Sequence, residues 1–413
     1  MSRPLDPSRV RPALRALEPR AAEHEGRPGL LLLDPLGLIE GPVFVPDALV
    51  PILVRLDGTR TLRELGLELR AAGASVDESH LTELVEQLDE GLLLHSPLFQ
   101  TTLNATADAF LATGSRGAAH AGSHGYPADP SACSTALDAM LGPFGGALEP
   151  PLRGLIAPHI DLGRGASGYR AAYQAFASRA FPDLVVVFGT GHGGPAAPLT
   201  GLPLDWQTPL GTLRTDRAFV EAVHARIGAA QPADLLLHRR EHSLEFQMLC
   251  LAAISRARTG RPDSIPVAGF LCGSLPCSEG DPDREDWLRP VLAALREVAL
   301  AAGRRVTFLA GADLAHVGPR FGDAAPIDTG ARASLAVRDR ERLAELAVGA
   351  PGRFHAAVTH AGNPDRVCSA TAIYLAAKLA GGRAELLEYG QAADDDGAEC
   401  VSWCAAQFPG TGP

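Results

Sequence analysis

Two histidines in this 413-residue chain each follow a short apolar run of strand length. His159 closes an Ala-Pro-His sequence after the run 152–158, and His192 closes a Gly-Thr-Gly-His sequence after the run 184–189. Their separation is about one strand-helix-strand crossover. Ligands bind at the carboxyl edge of a parallel sheet, so both imidazoles are expected there. A lone histidine after a strand is more often a hydrogen-bonded loop residue, but two at equivalent positions indicate a shared site.

A carboxylate and an imidazole, Asp313 and His316, follow a further apolar run at 306–309. One turn of helix would place them on the same side, where they could transfer protons together. The simpler interpretation makes Asp313 a helix N-cap, and a cap that also bonds an imidazole is compatible with both.

Cys368 follows a turn at 362–365 and starts an apolar helix predicted over 370–379. A thiol at a helix N-terminus has a lowered pKa, which makes it a better metal ligand or nucleophile. The total of seven cysteines is odd and their spacing is irregular, so a disulfide scaffold is not indicated. We expect all seven thiols to be reduced.

His242 and Glu245 open another predicted helix and form an H-x-x-E spacing. Some zinc hydrolases hold their metal with this spacing and a distant third ligand. A structural ion-pair cluster is the alternative for the neighbouring Arg239, Arg240 and Glu241. Carboxylates are favoured at the positive end of a helix dipole in either case.

The elements that must position these residues form an α/β pattern over 131–413. Apolar runs of strand length alternate with helical spacing, which predicts one domain with a mainly parallel sheet flanked by helices. Residues 101–130 are rich in Ala, Gly, Ser and His and are predicted to be a linker. His120 and His124 within it are expected to be solvated.

Residues 1–100 are predicted to form a separate small winged-helix domain. A short apolar segment, helical stretches at 61–71 and 77–90 and a closing strand at 91–94 support this prediction. Such a domain could bind a partner, or it could serve only for packing or dimerisation.

Charge and hydropathy exclude several classes of partner. The formal net charge is −11, without a block of like charge that would bind nucleic acid or lipid. The apolar run 29–39 is too short to span a bilayer. We therefore expect a cytoplasmic protein with no nucleic-acid or membrane partner.

Taken together, the motifs of residues 152–406 resemble the Memo family, also called the system B protein of the AmmeMemoRadiSam cluster. The landmarks are the His159 and His192 motifs, Thr-Pro-Leu-Gly at 208–211, Glu-His-Ser-Leu-Glu at 241–245, Asp-Leu-Ala-His-Val-Gly at 313–318, the Cys368 helix and Glu-Tyr-Gly-Gln at 388–391. The N-terminal module, with Leu-Asp-Gly at 56–58, Thr-Leu at 61–62, Glu-Leu at 64–65 and the stretch 88–94, resembles PqqD-like domains, which bind peptides beside radical-SAM enzymes.

The Memo resemblance implies a domain similar to class III extradiol dioxygenases, which hold non-haem iron with two His and one Glu. Memo proteins place a Cys where those enzymes place the Glu. By motif, His159, His192 and Cys368 would be the metal ligands of this chain. Two imidazoles and a thiolate suit iron or copper, with zinc also compatible.

The resemblance further implies that Asp313, His316 and His242 surround the metal as acid, base or orienting groups. One departure from the family pattern is Asp161, which could support His159 from outside the ligand shell.

The leading hypothesis is iron- or copper-dependent redox chemistry, dioxygenase-like, on an unidentified small organic or peptidyl substrate. The first alternative is a non-catalytic metal- or peptide-binding partner of a radical-SAM enzyme that acts through the N-terminal module. The second alternative is a zinc hydrolase centred on His242 and Glu245.

Overall fold

The computed structural model describes residues 6–74, 76–122, 125–144, 149–277 and 280–410. His124, noted in the sequence, lies outside these residues. The chain divides into two compact units, Met1–Ala112 and Thr113–Pro413. All seven cysteines are free thiols, as predicted. Among the residues described, no helix is long and apolar enough to cross a membrane.

The N-terminal unit has a three-stranded antiparallel sheet in the order β1-β2-β3, and its helices follow the sheet. The elements are β1 (Glu18–His24), β2 (Arg27–Leu33), β3 (Val43–Pro46), α1 (Val50–Leu53), α2 (Leu62–Ala71), α3 (Glu78–Glu90) and α4 (Pro97–Ala112). Apolar side chains, mostly leucine and valine, from β2, β3, α1, α2 and α3 and from the segments between them form its core.

This arrangement differs from the winged-helix prediction at its closing strand. Leu92 adopts a left-handed φ of 57°, which interrupts an extended strand. Only an isolated bridge between Leu94 and Leu14 forms there among the described residues. The hairpin of β1 and β2 was not predicted, because β1 is almost wholly exposed and lacks an apolar face.

The second unit is built around an eight-stranded sheet. The strands of the whole unit, including three outside that sheet, are β4 (Ser115–Arg116), β5 (Gly154–Ala157), β6 (Leu184–Thr190), β7 (Leu199–Gly201), β8 (Asp205–Thr208), β9 (Gly211–Leu213), β10 (Val267–Cys272), β11 (Val306–Gly311), β12 (Asp313–Val317), β13 (Glu385–Ala393) and β14 (Cys400–Phe408). Its helices are α5 (Pro130–Leu141), α6 (Ala166–Ala177), α7 (Arg217–Ile227), α8 (Pro232–Leu237), α9 (His242–Thr259), α10 (Leu288–Leu300), α11 (Thr329–Ala347), α12 (Pro351–Thr359) and α13 (Ala370–Ala380).

The large sheet is mixed rather than mainly parallel. Its order is β12-β14-β5-β11-β6-β10-β7, with β13 paired to β14, while β4, β8 and β9 form a small separate sheet. The four central strands β5, β11, β6 and β10 are parallel, as expected. The outer strands pair antiparallel. The short connection between β13 and β14 permits only antiparallel pairing, since a parallel pair needs a long crossover.

Helices cover this sheet and bring their N-termini to the carboxyl edge of the parallel strands. Helix α13 packs against β5, β6 and β11, helix α9 packs against β6, and helix α6 packs against β14. The parallel strands are fully buried along nearly all of their length. The functional loops therefore rest on a rigid apolar support.

The described part of the segment 101–130 does not form a separate linker. Its first part belongs to α4, and residues from Thr113 onward belong to the second unit. Arg116 is 1% exposed and forms an ion pair with the equally buried Glu245. Small residues suggested a mobile loop, but this charge pair, joined across distant parts of the sequence, fixes the segment.

We expect residues 113–413 to fold without the N-terminal unit, whereas a chain starting at Ser131 should be strongly destabilised. Loss of Arg116 leaves Glu245 buried without its ion-pair partner, which costs about 3–5 kcal/mol. Thermal denaturation of the two truncated chains measures the difference. Equal melting temperatures would contradict the assignment of 113–130 to the second unit.

Candidate metal centre

The histidines predicted to share a site do meet at one edge of the sheet. His159 lies two residues after β5 and His192 two residues after β6, and β11 separates these parallel strands. The ring centroids of the two imidazoles are 5.0 Å apart. The shared edge inferred from their spacing is therefore confirmed.

A third imidazole, that of His242, completes the group. His242 is the first residue of α9, and its ring stacks on that of His192 with centroids 4.8 Å apart. Nitrogen atoms from His159, His192 and His242 all lie within 4.8 Å of one another, so the three could hold a metal ion. The sequence placed His242 beside the ligands, whereas the geometry places it in the group that can bind the ion.

Glu241 anchors two members of this group. Its carboxylate accepts hydrogen bonds from the backbone N of His192 at 3.0 Å and from the N of Ser243 at 3.0 Å, and it bonds His192 Nδ1 at 2.9 Å. His242 Nδ1 is 3.3 Å away. Burial opposes ionisation, but the charge and hydrogen bond of His192 outweigh it and hold the pKa of Glu241 well below its usual range.

Burial disfavours the charged form of His242 too, but for an imidazole this lowers the pKa instead of raising it. Desolvation, reinforced by the neighbouring His159, lowers the pKa of His242 to about 3. The imidazole is therefore neutral near pH 7. Metal binding requires that form, because the ligand nitrogen must carry a free lone pair.

His159 is fixed by backbone atoms instead of the predicted carboxylate. Its Nδ1 donates to the Gly311 carbonyl at 2.9 Å, which leaves Nε2 toward the group. Asp161, expected to support His159, instead pairs with Arg164 beside it in the sequence. The carbonyl at the end of β11 therefore performs the supporting role.

Cys368 lies immediately beside the imidazoles. Its Sγ is 3.5 Å from His159 Nε2 and 3.2 Å from Ser369 Oγ. An imidazole nitrogen and a thiolate sulfur bound to one tetrahedral ion would be about 3.6 Å apart, given bonds of about 2.05 and 2.3 Å. Burial alone would raise the pKa of the thiol, but His159 and His192 overcome this effect and lower the pKa to about 6.

Asp313 and His316 lie in β12 and not in the helical turn considered from sequence. A single residue separates β11 from β12, and β12 pairs with β14. Asp313 Oδ1 accepts from the His159 backbone N at 2.9 Å, and Oδ2 is 3.5 Å from His159 Nε2. Burial raises the pKa of Asp313 to about 6.

His316 makes its contacts outside the three-histidine group. Its Nδ1 donates to the Leu314 carbonyl at 3.1 Å, and its ring packs against Phe321. Burial lowers its pKa. His316 lies near enough to Asp313 to influence the pKa of that carboxyl group, but it is not a member of the three-histidine group.

Glu245, the second residue of the H-x-x-E spacing, is not a member of the described three-histidine group. Its carboxylate binds Arg116, Tyr126 and both the backbone N and Nδ1 of His120, the latter two at 2.9 and 2.8 Å. Sequence reasoning missed these three partners. The one signal in the sequence was Arg116, a single arginine among small residues, because no acidic residue near it in the sequence could pair with its charge.

A cavity of about 580 Å³ opens beside the centre. Cys368 and Thr190 contribute to its wall, together with Trp287 and His355. The described residues that line it include no Asp, Glu, Lys or Arg. Burial lowers the pKa of His355, so this side chain is uncharged near pH 7 as well.

The fold and these motifs agree with comparisons to known proteins. Residues 116–407 match the model of the Memo-like protein family. The chain therefore belongs to the Memo family.

The relatives are described as MEMO1 family proteins. The one from Aquifex aeolicus is 28% identical over 316 residues, which cover 76% of this chain and 77% of the relative. The one from Thermus thermophilus is 27% identical over 75% of this chain and 86% of its own length. A Pyrococcus horikoshii relative is 29% identical over 40% of this chain, and the match spans about half of its length, 54%.

Replacement of Glu241 by alanine should weaken metal binding by roughly 10- to 100-fold, because His192 and His242 lose the carboxylate that orients them. It should also remove about 1 kcal/mol of helix-capping stability. Asp328→Ala is the matched control, since Asp328 caps α11 through a 2.7 Å bond to Ala331 N. Metal titration that shows equal affinities for the two variants would contradict the role of Glu241.

Alkylation of Cys368 by iodoacetamide should accelerate as pH rises through about 6, because the folded protein favours the thiolate above that pH. An ordinary cysteine reacts similarly only around pH 8.5. Peptide mass spectrometry can follow Cys368 beside Cys272, whose pKa burial raises far above its usual range. A midpoint above pH 8 for Cys368, or no change in the midpoint on His159→Ala, would contradict the electrostatic explanation.

Proposed function

We propose that this protein is a metal-dependent redox protein that uses iron or copper and acts on an uncharged organic or peptidyl group. The observation that carries the proposal is the convergence of three imidazoles and one low-pKa thiol at a single edge of the sheet. The donors are His159, His192, His242 and the Cys368 thiolate.

The chemistry of these donors fits such an ion. Neutral imidazoles and a thiolate are ligands for iron, copper or zinc, and they suit magnesium or calcium poorly. The thiolate contributes negative charge, and the supporting Gly311 carbonyl and Glu241 carboxylate hold two imidazoles in a fixed tautomer. When bound, iron or copper would supply one-electron redox chemistry at this point.

Proton transfer is assigned to Asp313. Its pKa of about 6 lies close to neutral pH, where a carboxylate can both accept and release a proton. The hydrogen bond from the His159 backbone N fixes Oδ1 and leaves Oδ2 on the side of His159 Nε2. His316 assists through its proximity to Asp313.

The cavity beside Cys368 supports the choice of substrate class. Apart from Cys368, whose thiolate is assigned to the ion, its wall combines uncharged side chains with the indole of Trp287. A charged ligand would therefore lose hydration without gaining an ion-pair partner from the other described residues of the wall. An apolar or aromatic group would instead bury surface there. The resemblance to ring-cleavage dioxygenases favours a redox-active ion over zinc at the same point.

A zinc hydrolase centred on His242 and Glu245 lacks comparable support. The Glu245 carboxylate is already bound by Arg116, His120 and Tyr126, so these contacts would have to break before it could bind zinc.

Protein purified without a polyhistidine tag should contain iron or copper by elemental mass spectrometry. It should also consume dioxygen when supplied with ascorbate as the reductant, and Asp313→Asn should keep the metal while it reduces this uptake. Zinc as the sole metal, with no dioxygen uptake after loading with iron or copper, would contradict the proposal.

Alanine variants of His159, His192, His242 and Cys368 should each lose most of the bound metal, because removing one donor weakens chelation. Cys404→Ala is the control, since Cys404 is a buried thiol in β14 that does not belong to the described three-histidine group. Full metal content in His242→Ala would return that residue to the acid-base role indicated by sequence.

A further inference from the structure

Arg116 reaches from the start of the second unit to the turn that precedes α9. Its guanidinium donates to the carbonyl of His238 at 3.0 Å and to the carbonyl of Glu241 at 2.9 Å, and it pairs with Glu245. The arginine is 1% exposed. It therefore fixes the backbone from which Glu241 and His242 extend to the metal centre.

Glu245 uses the same ion pair to hold a fourth histidine. Its carboxylate accepts from His120 N at 2.9 Å and bonds His120 Nδ1 at 2.8 Å. A carboxylate can only accept, so His120 Nδ1 carries a proton in this contact. Two bonds to one carboxylate fix both the backbone and the ring plane of His120.

The ring of His120 lies against the ring of His242. Their centroids are 5.8 Å apart with an interplanar angle of 64°, an edge-to-face contact. Phe246 packs against both rings, at 5.7 Å from His120 and 5.5 Å from His242. His192 stacks on His242 as well, so four aromatic neighbours, counting His159, determine the orientation of the His242 ring.

We infer that His120, held by the Arg116–Glu245 pair, is a positioning residue of the metal centre that acts through His242. The two residues of the H-x-x-E spacing thus have connected roles. His242 faces the ion, and Glu245, one helical turn later, fixes His120, which packs on His242. This inference rests on the proposed metal centre. Outer contacts of this kind orient ligands and change metal affinity.

Cobalt(II) is a suitable probe, because its visible absorption bands report the geometry of its ligands. His120→Asn keeps a nitrogen donor for Glu245 but removes the ring that contacts His242. We expect this variant to retain the thermal stability of the wild type, to bind Co²⁺ roughly 10-fold more weakly and to show shifted bands. His120→Phe, which restores an aromatic ring at this position, should recover part of the wild-type spectrum.

His80→Ala is the control, since His80 is an exposed histidine of α3 in the N-terminal unit. Its Co²⁺ affinity and spectrum should equal those of the wild type. Wild-type affinity and bands in His120→Asn would overturn the positioning role while leaving the metal centre intact. Failure of the wild-type protein itself to bind Co²⁺ would overturn the metal centre and this inference together.

Discussion

The buried carboxylate of Glu241 is the constraint on which the proposed metal centre depends. It lies at the N-terminus of α9, where backbone N–H groups and the helix dipole stabilise negative charge. One oxygen accepts from the His192 backbone and the other contacts both imidazole Nδ1 atoms. A loop after β6 and a separate helix are thereby locked together, so two histidines 50 positions apart present their remaining nitrogens to one point.

Burial and charge divide the ionisable groups around this point into distinct states. His242 is neutral because desolvation disfavours its charged form, while Cys368 is a thiolate near neutral pH because two imidazoles offset its desolvation. The carboxyl group of Asp313 is deeply buried beside His159, and its pKa of about 6 lies close to neutral pH. One neutral imidazole, one thiolate and one carboxyl group with a raised pKa thus lie close together at a single edge of the sheet.

The sequence predicts those parts of the site that local patterns determine. His159 and His192 were found because each follows a buried strand, and Cys368 because it precedes an apolar helix. The four central parallel strands were found for the same reason. Local pattern was misleading at Asp313, where a cap-like sequence forms a strand that pairs with β14.

Contacts between distant parts of the chain could not be predicted in this way. Arg116 and Glu245 are separated by 129 positions, and no local periodicity links them. The same limit applies to the antiparallel outer strands, whose partners are chosen by chain connection and not by composition. Membership of the Memo family was nevertheless accessible, because its short motifs coincide with the strand and helix ends that form the site.

X-ray absorption spectroscopy at the absorption edge of the bound metal tests the four proposed donors directly. An ion held by them should show about three imidazole nitrogens near 2.0–2.1 Å and one sulfur near 2.3 Å, the usual lengths of such bonds. The sulfur contribution should vanish in Cys368→Ser, since Cys368 is the thiol within 3.5 Å of a group imidazole. A wild-type spectrum that shows oxygen ligands alone would contradict the proposed centre. A Cys368→Ser spectrum that retains the sulfur contribution would contradict it as well.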